Sequence, residues 1–334
     1  MRGQERKRRD DLAAAVWMEK ESLAGKAVDT GVIILRTSGC RHFRDGGCSM
    51  CGYNVESSGS VTGKDIEEQY RNAIAQLDGI SFLKLYTSGS FLDECEVPPD
   101  IADTIIRDAS EKGMRVLFET RPEFVNQETL ERITGIGNDL EIALGLESAN
   151  DKILKYSINK GFVVADYELA AGLISDAKID LRTYVLLKPP FLTEAEAIGD
   201  AKATIRYAAR KSTTVSLNPV NVQKKTYVER LWKNWAYRPP WLWSVLDVLR
   251  NSSGLGVKII CDPAGGGRER GAHNCGKCDG VILDSLKNFS ISQDTSMLGS
   301  SECECKDVWH ALLQVEPLVM GGTVDLQRHS RPRR

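Results

Sequence analysis

Six short runs rich in β-branched and aromatic residues punctuate the chain: VIILRT from Val32, FLKLYT from Phe82, MRVLFET from Met114, LEIALGLES from Leu140, IDLRTYVLLK from Ile179 and TTVSLN from Thr213. Their starts lie roughly 30 to 50 residues apart, room for a strand, a helix and two loops, so each run reads as one βα unit. The intervening segments carry helical faces. Ile66, Tyr70, Ile74 and Leu77 share one, Ile101, Ile105 and Ala109 share another after Pro98 and Pro99, and Thr193 with Glu196 makes a capping-box pattern. The runs are apolar almost throughout instead of alternating, which predicts parallel strands covered on both faces. Six such units make three quarters of an eight-fold barrel. The expected architecture is α/β: a partial (β/α)6, TIM-like barrel over 26–222, a basic N-terminal arm and helix over 1–25, and an aromatic, basic and Cys-rich C-terminal extension over 223–334.

In barrels of this kind chemistry gathers at the C-terminal ends of the strands. In strand order those ends hold Gly39 and Cys40, Ser88 to Ser90, Glu119 and Arg121, Glu147 and Ser148, Lys188, and Asn218. Such residues are ordinary in loops, so it is their convergence on one rim that makes a candidate site. A hydrophobic fraction of 42% and a charged fraction of 27% exclude a wholly disordered or coiled-coil chain. No apolar stretch approaches the ~20 residues that span a bilayer, and the chain opens MRGQERKRRDD where a signal core would be apolar. A cytoplasmic protein with no membrane association is expected. The net charge of -2 neither announces nor excludes a nucleic-acid binder. Arg2, Arg6, Lys7, Arg8 and Arg9 at one end and Arg328, Arg331, Arg333 and Arg334 at the other form basic arms, either solvated tails or phosphate contacts.

Nine cysteines are an odd total for a disulfide framework and favour metal binding. Cys95 and Cys261 stand alone and read as buried apolar filler. The segment GCRHFRDGGCSMCGY puts Cys40, Cys48 and Cys51 on one Gly-rich loop after the first strand. Three thiolates can hold three irons of a 4Fe-4S cube and leave the fourth iron open to chelate a ligand. Tetrahedral zinc would want a fourth protein ligand, for which His42 is the nearby candidate.

A three-Cys loop directly after the first strand of a six-unit partial barrel resembles the radical S-adenosylmethionine (radical-SAM) superfamily. Its spacing of seven residues between Cys40 and Cys48 departs from the superfamily's commonest three. The ordered set GCRHFRDGGCSMCGYN, TSGSFLD, ETRPEF, SLNPVNVQKKTYVERLW, YRPPWLWS and HNCGKCDG is similar to the radical-SAM subunits of archaeal archaeosine synthases. The resemblance implies a 4Fe-4S cluster on Cys40, Cys48 and Cys51 whose open iron binds S-adenosyl-L-methionine, cleaved on reduction to a 5'-deoxyadenosyl radical. It implies that the backbone of Ser88, Gly89 and Ser90 receives the SAM amino group, here without the acid of the family's Gly-Gly-Glu-like element. Glu119, Glu147 and Arg182 would make ribose or carboxylate contacts. Implied partners are tRNA, a lysine-transferring archaeosine synthase subunit and an electron donor. The implied reaction is radical cleavage of the lysine carbon-nitrogen bond in the lysine adduct of 7-cyano-7-deazaguanine at position 15 of tRNA, leaving archaeosine. An unactivated lysine methylene gives a side-chain base little proton-transfer driving force, so hydrogen-atom abstraction suits that substrate. For the lysyl carboxylate and ammonium, Arg182, Lys188 and Asn218 are candidates.

In the extension, KKTYVERLWKNWAYRPPWLWSVL interleaves cations with aromatics. Either aromatic faces stack on splayed RNA bases while cations meet phosphates, or an amphipathic helix broken by Pro239 and Pro240 packs its Trp face on the barrel. Packing is the expectation for most of the tryptophans. Cys275, Cys278, Cys303 and Cys305 supply the four thiolates of a structural zinc site, with a second iron-sulfur cluster as the alternative. His273 could replace a ligand or face the substrate. Two other functions stay open: a different radical-SAM tRNA modification, by sulfur insertion or Elongator-type chemistry, and a non-catalytic zinc-stabilised tRNA-binding scaffold.

Overall fold

A computed structural model of the chain describes residues 10–23, 25–299 and 302–319 and gathers eight strands, in chain order, into one curled open sheet. β1 (Ala15–Leu23) is antiparallel to β2 (Lys26–Ile34). β3 (Phe82–Tyr86), β4 (Arg115–Thr120), β5 (Leu140–Glu147), β6 (Asp180–Leu187), β7 (Thr214–Pro219) and β8 (Lys258–Ile260) follow, each parallel to its predecessor. The expected runs are β2 to β7. β1 corrects the helix expected within 1–25: Glu19 and Glu21 find their charge partners on other strands inside the barrel, which no local pattern could announce. β8 carries the sheet into the extension, past residue 222. Its outer edge is satisfied by Gln293, whose amide donates to the Ile259 carbonyl and accepts from the Ile259 N–H, both at 2.8 Å, as a further strand would. The basic arms at 1–9 and 328–334 lie outside the described residues.

Helices follow the parallel strands. After β2 comes α1 (Arg41–Arg44), a single turn in the Cys loop, and then α2 (Gly63–Ile74). α3 (Pro99–Glu111), α4 (Gln127–Thr134), α5 (Val164–Asp176) and α6 (Glu194–Ala208) come after β3 to β6. Thr193 and Glu196 close the expected capping box, which satisfies two N–H groups at the start of α6. α7 (Tyr227–Lys233), α8 (Leu242–Ser252), α9 (Asp279–Ser292) and α10 (Cys305–Val319) make up the extension. Among the described residues no helix is long and apolar enough to cross a membrane.

The outer face of the strands is apolar almost throughout, whereas the inner face mixes a small apolar cluster of Phe82, Leu117 and Ala143 with charged side chains, so the two-sided apolar pattern holds only in part. Ile33, Leu83, Leu85, Val116, Phe118, Ile142, Leu144, Leu187 and Leu217 join the helices in the main core, each burying a side chain worth about 1.5–3 kcal/mol. The other face turns Lys84, Arg115, Glu141 and Arg182 inward, because a half-barrel encloses a lumen that helices do not fill. At its N-terminal end these charges form a closed network. Arg182 donates to Glu141 at 2.9 Å and to Glu21 at 2.5 Å, Lys258 reaches Glu21 at 3.1 Å, and Arg115 joins Glu141 to Asp180. Burial pushes the Glu21 carboxyl up, but the charges of Arg182, Lys84 and Lys258 outweigh it and hold the group well below the usual carboxylate range. The Glu21–Lys258 pair ties the first strand of the open sheet to the last.

Candidate functional site

The loop after β2 carries its three cysteines between two supports. Against the segment after β5, Ser49 donates its N–H to Ile158 and its hydroxyl to Ser157, both at 2.8 Å, and Asn159 donates to the Gly47 carbonyl at 2.8 Å. Against the extension, the Gly52 N–H donates to Gln223, and the Ser49 carbonyl accepts from Val228 at 3.1 Å. Within the loop, the Cys40 N–H reaches Asn54 and the Cys51 N–H reaches the Cys48 carbonyl. The thiols share one environment. Burial pushes Cys48 up, and pushes Cys51 up to about 12, and each also lies in the field of Cys40 and of Lys160. Such thiols stay protonated until a metal displaces the proton.

His42 is not a fourth ligand. Its Nε2 lies 2.6 Å from the Asn159 carbonyl, and its ring packs so closely on Gly161 that a Cβ there would stand 2.5 Å from it. Three thiols without an imidazole are the donor set expected for a cubane with one iron left open, and lack the fourth protein ligand of a structural zinc site.

The turn after β3 sits against this loop. A Cβ on Gly89 would lie 2.7 Å from the Cys40 Cα, so only glycine permits the approach. The N–H groups of Gly89 and Ser90 both donate to Glu96, at 3.0 and 2.7 Å, and the Thr37 hydroxyl donates to the same carboxylate at 2.6 Å. An acid absent from the turn itself thus arrives from a few residues downstream. No spacing rule pointed to it. Its effect is to lock the donors of the turn inward.

Glu119 and Glu147 stand at the upper inner wall. Burial, reinforced by Glu96 and opposed by an N–H from Thr87, pushes the Glu119 carboxyl up to about 8. Glu147 pairs with buried Lys160 at 2.7 Å, and this pair lies across Gly145, where a Cβ would be 2.3 Å from the carboxylate. A register shift between Gly145 and Glu147 turns the end of β5 at that point. Arg121 donates to the Lys160 carbonyl at 3.1 Å and its N–H reaches Ser90 at 3.0 Å, linking the turn after β3 to the segment after β5. Lys160 itself was missed by the sequence: INKGF gives no sign that its ammonium sits beside the Cys loop.

Other sequence candidates lie elsewhere. Arg182 belongs to the floor network, its guanidinium taken up by Glu21 and Glu141, and does not reach the rim. Lys188 turns to the start of α6, 2.6 Å from the fully buried Glu194, while its carbonyl accepts from the Tyr237 hydroxyl of the extension. Asn218 stays on the inner face of β7 and accepts from Ser216 at 2.9 Å. Cys261 is buried as expected, whereas Cys95 is exposed.

Cys275, Cys278, Cys303 and Cys305 converge, their sulfurs all within 4.8 Å of one another, with Cys275–Cys303 and Cys278–Cys305 at 3.6 Å. Metal-sulfur bonds of about 2.3 Å in a tetrahedron put sulfurs about 3.8 Å apart, so the set fits one metal ion. A cubane, which binds each thiolate to a different iron, needs them wider. Asn274 and the Trp243 indole each donate to a sulfur, on Cys278 and Cys305, at 3.3 Å. His273 is not in the set; its Nδ1 lies 2.8 Å from the Gly271 carbonyl.

A curled half-barrel of parallel strands with three thiols on the loop after its first parallel strand is the arrangement that the radical-SAM resemblance implies. The fold is similar to that of methylornithine synthase in its crystal structure, with a TM-score of 0.52 at 15% identity over 89% of this chain and 85% of that one. The chain belongs to the archaeosine synthase subunit beta family. It is 38% identical over 317 residues to archaeosine synthase subunit beta of Methanosarcina acetivorans, covering 92% of each, and 36% identical to that of Thermococcus kodakarensis, over 93% of this chain and 98% of the relative. No family model matches it.

Proposed function

We propose that the chain is a radical-SAM tRNA-modifying lyase that cleaves the lysine carbon-nitrogen bond of the lysine adduct of 7-cyano-7-deazaguanine in tRNA and leaves archaeosine. The observation that carries this is the three-thiol loop at the mouth of the half-barrel, in a chain matched over nearly its whole length by archaeosine synthase beta subunits. Cys40, Cys48 and Cys51 would hold a 4Fe-4S cluster. With S-adenosyl-L-methionine bound, the cluster supplies a carbon radical able to take a hydrogen atom from a lysine methylene.

The chain's own groups bind and orient. Glu96 fixes the turn of Ser88 to Ser90 against Cys40, leaving its carbonyls as acceptors for the methionine ammonium. Glu119, protonated at neutral pH with its carboxyl up to about 8, can donate to a ribose or carboxylate oxygen without bringing a second negative charge. The Glu147–Lys160 pair places an ammonium beside the thiols, compensating the charge they acquire on ionisation. Asn218 remains the candidate for the lysine moiety. The four C-terminal thiols hold zinc, pinning α9 and α10 to α8. Further partners are the lysine-transferring subunit and an electron donor, and the site of action is the cytoplasm.

The test is anaerobic reconstitution with iron and sulfide, then SAM, reductant and lysine-modified tRNA, following 5'-deoxyadenosine and the amidine base. Deoxyadenosine that forms equally without the modified tRNA rejects the lyase. Replacing Cys40, Cys48 or Cys51 by Ala should abolish the iron-dependent absorbance.

A further inference from the structure

Packing consumes most of the tryptophans of the extension, but not all. Trp243 is buried and the Arg238 guanidinium covers Trp241 at 4.1 Å, whereas Trp235, after α7, is 96% exposed. Its backbone is held at φ 59, an uncommon conformation for a bulky residue, with its N–H on the Trp232 carbonyl at 3.1 Å. Nearby on the same segment Tyr227, 44% exposed, lies with its ring centroid 5.9 Å from that of Phe191 and beneath the Arg230 guanidinium at 5.7 Å.

Charge completes the pattern. Lys224, Lys225 and Arg230 are exposed and form no ion pair among the described residues. The one acid of the segment, Glu229, is already neutralised by Arg270 at 2.7 Å and Lys233 at 3.4 Å. The segment is fastened to the three-Cys loop through Gln223 and Val228, so these aromatics and cations border the mouth of the half-barrel. An exposed indole beside unpaired cations suits a polyanion with free base faces better than it suits solvent or a neutral protein surface.

We infer that residues 224–235 are the RNA-docking face, with Trp235 stacking on an unstacked base of the tRNA and Lys224, Lys225 and Arg230 meeting its phosphates. The inference rests on the proposed tRNA substrate and specifies how that substrate is held beside the site.

The experiment is equilibrium binding of lysine-modified tRNA to the full-length reconstituted protein across a salt series. Trp235→Ala should weaken binding about 5- to 150-fold, with Trp235→Phe retaining most of the affinity. Replacing Lys224, Lys225 and Arg230 together by Ala should flatten the slope of log affinity against log salt by about 2 to 3. The Trp235→Ala protein should keep its iron content and thermal midpoint, because the side chain contributes almost no buried surface. If wild type binds tRNA and Trp235→Ala binds it equally, the docking face is overturned while the lyase stands. If wild type binds no tRNA, the substrate assignment fails and takes the inference with it. If Trp235→Ala keeps its tRNA affinity but loses the lysine-transferring subunit in a pull-down, the face docks protein and the inference is wrong.

Discussion

Replacing Arg182 by Met separates two roles that one residue cannot both fill. The side chain is 2% exposed and donates to Glu21 and to Glu141, themselves buried, so the substitution removes the cation and strands two carboxylates in the floor of the lumen. Breaking a buried pair in this way costs about 3–5 kcal/mol, because the anions keep their desolvation penalty and lose its compensation. Lys84, Lys258 and Arg115 remain and place the loss toward the lower end. With about 2.1 cal/mol/K of unfolding entropy per residue across 334 residues, the thermal midpoint should fall by about 4–7 °C. The sign of the pH dependence follows. Glu21 and Glu141 are held below their ordinary values by Arg182 against the opposing effect of burial, so the stability they lend is present above the unfolded carboxylate range and lost on acidification. The gap between wild type and variant should be widest near neutral pH and should close as pH falls through 4, where the stranded carboxylates can take protons. Differential scanning calorimetry at several pH values measures it. A variant with an unchanged midpoint and weakened SAM binding would refute the floor assignment and return Arg182 to the rim.

Three further outcomes follow from the site. Glu96→Ala leaves the N–H groups of Gly89 and Ser90 and the Thr37 hydroxyl without their acceptor, at about 1–3 kcal/mol each; calorimetric titration should show SAM binding at least about tenfold weaker, and Glu96→Gln, which keeps one acceptor oxygen, should lie between. Glu119 is raised by burial to about 8, so the folded state holds a proton that the unfolded state releases, and stability falls as pH rises through that window. Glu119→Gln should therefore stabilise the protein more at pH 8 than at pH 5, and a pH-independent difference in midpoint would contradict the assignment. Cys275→Ser opens the four-thiol site: the metal proposed there should drop out by elemental analysis and the thermal midpoint should fall, with the iron-dependent absorbance intact. Loss of the iron absorbance together with that metal would mean that the two sites are not independent.

What the sequence determined by itself was local in origin. The βα period located β2 to β7 and the capping box located α6, because spacing along the chain is a sufficient condition for each, and the same kind of spacing marked three thiols on one short loop as the candidate cluster site. The second set was legible as one four-thiol site from its spacing, and the fold bears that out by bringing sulfurs to 3.6 Å. Tertiary structure alone decided the rest. Arg182 and Lys188 ended strands or lay on them as the sequence expected, yet each turned to a buried carboxylate: Arg182 to Glu21 from far back along the chain, and Lys188 to Glu194, just downstream at the start of α6. Glu96 and Lys160 became part of the site only through folding. A strand fixes which face a side chain takes, but a charge taken out of water goes to whichever opposite charge the fold brings within reach, and that choice is written in three dimensions.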